Sequence, residues 1–482
     1  MEEFKRLKCF RSQDPSAPAC GTSGCFAQGM PTHDHPEFYR RFGKTAKGDP
    51  RWQCRLCQKT FSAGRPARRQ KRSDKNRMLF QMLCNDMSFA KICKITGMTY
   101  QDLYKRIDFF HDQVRGFLVE REDFSEVDFH RSGSRFATDS QTLMINWPTR
   151  RQRTSVAIQH LCTAHARSGY IMEASLQFDP SMSMQEAEDI AQNANEEHAS
   201  IAFRNHARVW TQTEFDAYLV KLQKQKSVKI TNLYQLPQRG VLVRYDILQH
   251  AHALWLRDLL SSTDAPLYFV MDDDRGLQQA FSSAFANEIR ERRADLAVVS
   301  FDKGMTNDRR NQVVAAGQAF LSGLTGVSHA QLRNLSNQDY ADLVDKEVAI
   351  MKVLGQRPLE MGFHYPFPRK SEPNKQVKIL TDRPSRSPRS SARMLRLATL
   401  RSVDSYFHKF RSNVRFASRP AISSGSVGQT WKRQYLYKPD TMVKLAEIYR
   451  FYHNWCDPGE DKKTPAMRLG LARGRIYERD FM

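Results

Sequence analysis

Apolar residues recur along this chain with two periods, and the switches between them mark out its parts. Between residues 134 and 178 the period is close to two. Phe136-Ala137-Thr138-Asp139-Ser140-Gln141-Thr142-Leu143-Met144-Ile145 predicts a first strand, Val156 to His165 a second, and Tyr170–Phe178 a third, entered through the turn Arg167-Ser168-Gly169. Two further apolar runs, Leu267–Met271 and Leu296–Phe301, complete a five-stranded mixed sheet. On either side the period is helical. Arg77–Cys84 predicts a short helix; Ser88 caps Phe89–Ile95, Gly97 turns the chain, and Thr99-x-x-Asp102 reads as a capping box for a helix through about Phe110. Ile92, Ile95, Leu103 and Ile107 supply a shared core, with Tyr100, Gln101, Tyr104 and Lys105 facing outward, a helix-turn-helix pattern. Helical spacing also fills 181–260, including Gln185–Ala199 and Ile247–Leu260, and 305–365, while 366–393 reads as a basic, Pro/Ser-rich linker. Near the end Leu397, Leu400, Val403, Phe407 and Phe410 form one stripe, and Met442, Leu445, Ile448, Tyr449 and Tyr452 another.

Carboxylates interrupt this pattern where they are costly. Asp139 lies inside an apolar strand, which is unfavourable unless it is paired or binds a cation. Leu267–Met271 runs straight into Asp272-Asp273-Asp274 before Arg275-Gly276-Leu277 opens a helix, and three consecutive acids repel one another unless a divalent cation is near. Asp404 lies along the edge of the 397–410 stripe and is followed by Arg411, Arg415 and Arg419.

Charge sharpens the expectation. The 482 residues, enough for two to four domains, hold 75 Lys and Arg against 52 Asp and Glu, a net +23. Residues 1–115 carry 23 basic and 11 acidic side chains and residues 366–482 carry 25 and 10, so the middle is slightly acidic, about −4. Basic ends predict a polyanionic partner, nucleic acid or an anionic membrane face, and each Lys or Arg that reaches a nucleic-acid phosphate releases counterions. No apolar run reaches the roughly 18–20 residues of a spanning helix, and the first residues lack a signal peptide's apolar core. Nine cysteines, four paired by spacing and the rest scattered, fit a reducing cytoplasm with one metal site. Cys20-x4-Cys25 and Cys54-x2-Cys57 can converge as four thiolates on a tetrahedral zinc, a zinc ribbon over residues 1–64; His33 or His35 could replace one cysteine, and Cys9 is a bystander.

Together the Cys20/Cys25/Cys54/Cys57 ribbon with Lys59-Thr60-Phe61, the basic linker and helix-turn-helix of 65–120, the strand–Asp blocks and the tail with Thr464-Pro465-Ala466 resemble a bacterial insertion-sequence transposase, over about half the chain. The resemblance implies a ribonuclease-H-like core with helical insertions, begun in 130–304 and completed by an acidic helix within 394–482. It implies an acidic triad of Asp139, Asp272 and Asp404 holding magnesium or manganese, with Asp274 as the alternative second acid. Glu347 and, less so, Asp308 are rivals for the third, because the family usually has glutamate where Asp404 stands. It further implies double-stranded DNA as the partner, both the element's terminal repeats and the target, with cutting of element ends, joining to target DNA, and an oligomer on DNA. Arg411 and Arg415, in the basic tail, are candidate phosphate contacts. Competing classes are a DNA-binding regulator without cleavage, or a decayed transposase, and a metal-dependent nuclease without strand transfer.

Overall fold

The computed structural model describes residues 18–22, 25–27, 30, 32, 35–45, 50–62, 70, 72–147, 154–196, 199, 208–226, 236, 239–355, 359–417 and 435–482. The fold is mixed α/β, and the chain divides into two units. The first comprises Met1–Val127, Met144–Val156 and Phe410–Met482; the second comprises Asp128–Leu143 and Ala157–Lys409.

The first unit begins with a small antiparallel sheet of β1 (Tyr39–Lys44), β2 (Pro50–Cys54) and β3 (Thr60–Ser62). Three helices follow, Asn76–Leu83, Phe89–Thr96 and Tyr100–Arg121. The Ser88 hydroxyl accepts from the Lys91 amide, and Gly97 ends its helix at φ +65°, a conformation that favours glycine. Thr99 accepts the Asp102 amide at 3.1 Å to start the next. That helix runs eleven residues beyond Phe110, because Val114 and Leu118 continue its buried face and Phe117 packs edge-on against Phe451 and Trp455. Ile92, Leu103 and Ile107 are buried, but Ile95 is 56% exposed. Thr96 takes the inward place, its hydroxyl satisfied by the Ile92 carbonyl at 2.7 Å. The stripe at 442–452 forms the helix Pro439–Phe451, whose Arg450 makes a buried ion pair with Glu122 at 2.6 Å. Thr464 then caps the short helix Pro465–Leu469.

The second unit is built on a mixed sheet. Its strands are β4 (Arg135–Trp147), β5 (Thr154–His165), β6 (Ile171–Leu176), β9 (Leu267–Asp272), β10 (Ala294–Ser300), β11 (Phe363–His364) and β12 (Gln376–Ile379), in the order β11-β12-β10-β9-β4-β5-β6; the far end of β4 and the start of β5 count with the first unit. Strands β4, β9 and β10 are parallel, β6 is antiparallel to β5, and β12 antiparallel to β10. Seven strands therefore replace the five expected. The third strand is shorter than its apolar alternation: it ends at Leu176, and β7 (Phe178–Asp179) leaves to pair with β8 (Val241–Leu242). The supposed linker at 366–393 also holds structure, since β12 extends the sheet and the helix Pro388–Leu397 begins within it. Helices Met184–Asn193, Gln212–Lys226 and Tyr245–Leu259 lie in the 181–260 stretch. Asn307–Thr325, His329–Asn334 and Asn337–Gly355 fill 305–365.

The core is apolar and stacked. Phe269 of β9 meets Phe136 of β4 at 5.3 Å and Phe281 and Phe285, at and just beyond the end of the helix Arg275–Ala284, at 5.3 and 4.4 Å. One polar chain crosses it without orphaned groups: the Thr138 and Thr163 hydroxyls share a hydrogen bond (2.7 Å), Thr163 reaches His252 Nε2 (2.8 Å), and His252 Nδ1 reaches the Ser175 hydroxyl (2.9 Å). No described helix is long and apolar enough to cross a membrane.

Candidate functional site

Register places the first two aspartates side by side. The parallel β4–β9 ladder ends at Thr138 opposite Met271, so Asp139 and Asp272 are the next residues on neighbouring strands, where pairing stops. β9 ends at Asp272, while β4 continues, which opens the sheet at that point. Asp404 belongs to the second unit as well, in the first turn of the helix Arg401–Asn413. Buried Leu400, Val403 and Phe407 hold that helix against its core and leave Asp404 half-buried on its edge.

The electrostatics of Asp139 link all three. It is only 8% exposed, and its pKa is pushed from 3.8 to about 7, first by burial, then by the charges of Asp272 and Asp404. Lys303 and the Ser140 amide, at 2.7 Å, oppose the rise. Lys303, just after β10, was not expected from the sequence. Its ammonium donates to Asp272 Oδ2 at 3.0 Å. Burial works against its charge, yet that hydrogen bond and the fields of Asp139, Asp272 and Asp404 hold its pKa above the ordinary lysine value. A lysine thus stands in the field of all three carboxylates. Its only sequence signal was a basic residue soon after a strand end, which many loops share.

The rival acids have other tasks. Asp274 caps the helix Arg275–Ala284, accepting from the Gly276 and Leu277 amides and from Gln249 Nε2. A Cβ at Gly276 would lie 2.0 Å from Gln249 Oε1, so a larger residue there would displace the Gln249 side chain that bonds Asp274. Asp273 pairs with Lys378 at 3.1 Å. Glu347 sits half-buried on the helix Asn337–Gly355 and is not among the charges acting on Asp139; Asp308 is exposed in the first turn of Asn307–Thr325.

The donors test differently against metals. Cys20, Cys25, Cys54 and Cys57 bring their sulfurs within 4.8 Å of one another, close enough to bind a metal such as zinc. Cys20–Cys57 and Cys25–Cys54 are separated by 3.5 and 3.8 Å. The edge of a tetrahedron with Zn–S bonds of about 2.3 Å is ~3.8 Å, so the spacing fits. The Thr22 hydroxyl and the Lys59 amide hold the Cys57 thiol down to about 6. At Cys25 the Ala27 amide also favours thiolate, but burial and the neighbouring cysteines push its pKa up to about 12. Among the described residues the four cysteines are the one group so tightly gathered. The three aspartates are spread more widely, as two ions roughly 4 Å apart permit, and their hard oxygens suit magnesium or manganese. His33 and Cys9 lie outside the described residues, and His35 pairs with Glu37 at 3.4 Å.

The expected DNA contacts divide. Tyr100 is 52% exposed, and Gln101 and Lys105 are exposed beside it. Tyr104 is instead half-buried, edge-on to Phe89 at 5.6 Å, with the Lys438 ammonium 5.0 Å from its ring. It follows Tyr100 by four residues, yet Phe89 of the preceding helix occupies that side. Arg415 is exposed and pairs with Asp86 at 3.4 Å, Arg411 is half-buried, and Arg419 lies outside the described residues. By sequence count the first unit carries +19 of the net +23. The amino-terminal basic end and residues 410–482 (net +7) thus belong to the first unit, while residues 366–409 (net +8) share the second with the acidic cluster. Compared with protein-family models, curated proteins and solved structures, the chain matches none.

Proposed function

We propose that this chain is a DNA transposase of the acidic-triad class, cutting and joining DNA ends by metal-dependent phosphodiester chemistry. The observation that carries the reading is the adjacency of Asp139 and Asp272 where two parallel strands part, with Asp404 brought to the same cluster from more than a hundred residues away. A mid-strand acid held near neutrality is unfavourable for folding, which argues for a functional role. The strand order supports a ribonuclease-H-like core. Read along β6-β5-β4-β9-β10, five consecutive strands of the sheet run third, second, first, fourth, fifth, with the last two parallel to the first.

Asp139, Asp272 and Asp404 would hold two divalent ions, most simply magnesium, which when bound activate the attacking hydroxyl and neutralise the leaving oxygen. The protein's part is placement. The stacked core around Phe136 and Phe269 fixes the strands bearing Asp139 and Asp272. Lys303 neutralises Asp272. The cysteine module and the exposed face around Tyr100, Gln101 and Lys105 would hold a DNA end, and the basic tail would contact phosphates. Holding two ends implies an oligomer on DNA.

A second reading, a DNA-binding protein that no longer cleaves, is favoured by the Lys303–Asp272 contact and by aspartate rather than the longer glutamate at 404. Asp139→Asn and Asp272→Asn separate the readings. Each should abolish magnesium-dependent nicking and leave DNA binding intact. Nicking retained by both variants would sink the triad, and no nicking by the parent chain would favour the second reading.

A further inference from the structure

Away from the acidic cluster, the second unit contains a cavity of about 620 Å³ between the helical insertion and the segment around β11 and β12. That volume is in the range of sites that take a small organic molecule. Its walls combine two chemistries. Tyr340, Tyr365 and Phe367 offer aromatic surface, and Tyr365 and Phe367 meet at 88° with centroids 6.1 Å apart. Arg369 and Lys370 stand exposed at the rim, and Lys375 lies on the floor, 3% exposed.

The floor is rigidly built. Lys375 bonds the Ala398 carbonyl, reaches Glu372 at 3.5 Å and lies 4.9 Å from the Tyr365 ring centroid. Glu372 accepts from the Thr399 hydroxyl and the Leu400 amide, so the same network fixes the turn before the helix that bears Asp404. Arg396, also lining the space, is held in a bidentate pair with Asp345 at 2.7 and 2.9 Å. Burial drives Lys375 down to about 8 against the opposing pull of Glu372. At neutral pH a lysine with that pKa is still mostly protonated, so the floor presents a cation to an arriving anion.

We infer that this cavity binds a nucleotide, its base against the aromatic wall and its phosphate against Arg369, Lys370 and Lys375. Aromatic stacking and a basic rim are the pair of features by which single nucleotides, free or within an unpaired strand, are held. Phosphate alone would leave the aromatic wall unused, and a nucleoside alone would leave the cations unused. The assignment does not depend on the acidic cluster, because occupancy needs neither metal nor catalysis.

The test is equilibrium binding to the zinc-loaded full chain, followed by calorimetry with dAMP, deoxyadenosine and inorganic phosphate as separate probes. Saturable one-to-one binding of dAMP, at least tenfold tighter than of either other probe, is expected. Tyr340→Ala, and separately the double variant Arg369→Ala/Lys370→Ala, should each weaken it on the order of tenfold. Val314→Trp, which places bulk in the cavity wall, should do the same without removing a contact group. Unchanged circular dichroism and thermal midpoint identify variants that still fold. Competition by a short oligodeoxythymidine would assign the site to an unpaired strand, and its absence to free nucleotides. No saturable dAMP binding, binding of phosphate as tight as of dAMP, or affinity unchanged in all folded variants would overturn the inference.

Discussion

Replacing Asp139 by asparagine should stabilise this protein while removing its chemistry. In the folded chain the carboxyl titrates near 7 rather than 3.8, because burial and the charges of Asp272 and Asp404 penalise its ionised form. A folded-state pKa raised above the unfolded value means that the unfolded chain releases this proton first as pH rises. The group costs nothing below about 3.8, costs progressively more between about 4 and 7, and carries its full penalty above 7. A shift of roughly three units corresponds to about 4 kcal/mol at pH 8. Asparagine keeps the side-chain oxygen that accepts from the Ser140 amide and carries no charge, so most of that penalty should vanish. The assay is urea unfolding of parent and Asp139→Asn at pH 4 and pH 8, zinc-replete and free of magnesium, followed through the transition of the second unit. A gain of about 2–4 kcal/mol at pH 8 that shrinks toward zero at pH 4 is expected. Magnesium should then raise the stability of the parent and not of the variant. A variant less stable than the parent at pH 8, or a difference independent of pH, would refute the account of the cluster.

Other perturbations probe separate parts. Cys54→Ser should reduce bound zinc from one per chain to none by elemental analysis and lose specific DNA binding, with the magnesium response of the second unit unchanged. Lys303→Met removes the cation at Asp272 and should lower the half-saturating magnesium concentration for nicking several-fold; an unchanged or higher requirement would show that the lysine does not compete with metal. Arg450→Met strands Glu122 in a buried setting and should cost about 3–5 kcal/mol in denaturant unfolding of the first unit. A loss below 1 kcal/mol would mean that Glu122 finds another partner or water.

What could be read from the residues follows how local each signal is. The caps at Ser88 and Thr99 and the αL turn at Gly97 involve neighbours within four positions, and they form as read. The two cysteine pairs carry their spacing in the chain and converge. The strands with Asp139 and Asp272 announce themselves by local pattern, one by alternation and one by a short apolar run, and they pair in parallel. Signals that depend on distant partners fared worse. Val377 and Ile379 alternate in β12, but four residues amid Pro, Ser and Arg look like a linker until β10 supplies a partner. Tyr104 reads as outward until Phe89 is seen against it, and Ile95 reads as core until the helix is seen to end on Thr96. Lys303 had no readable signal, because its role comes wholly from carboxylates delivered by three other segments.

The central claim is that the aspartate cluster performs phosphoryl transfer on DNA ends. A labelled duplex from the DNA flanking the coding region, chosen for inverted repeats, would be incubated with the full chain, target plasmid and magnesium or manganese. The account predicts metal-dependent cleavage at the end and its covalent joining to the plasmid, both absent from Asp139→Asn, Asp272→Asn and Asp404→Asn. Cleavage without joining would reduce the protein to a nuclease. Binding with no cleavage in either metal, or cleavage that survives all three substitutions, would contradict it.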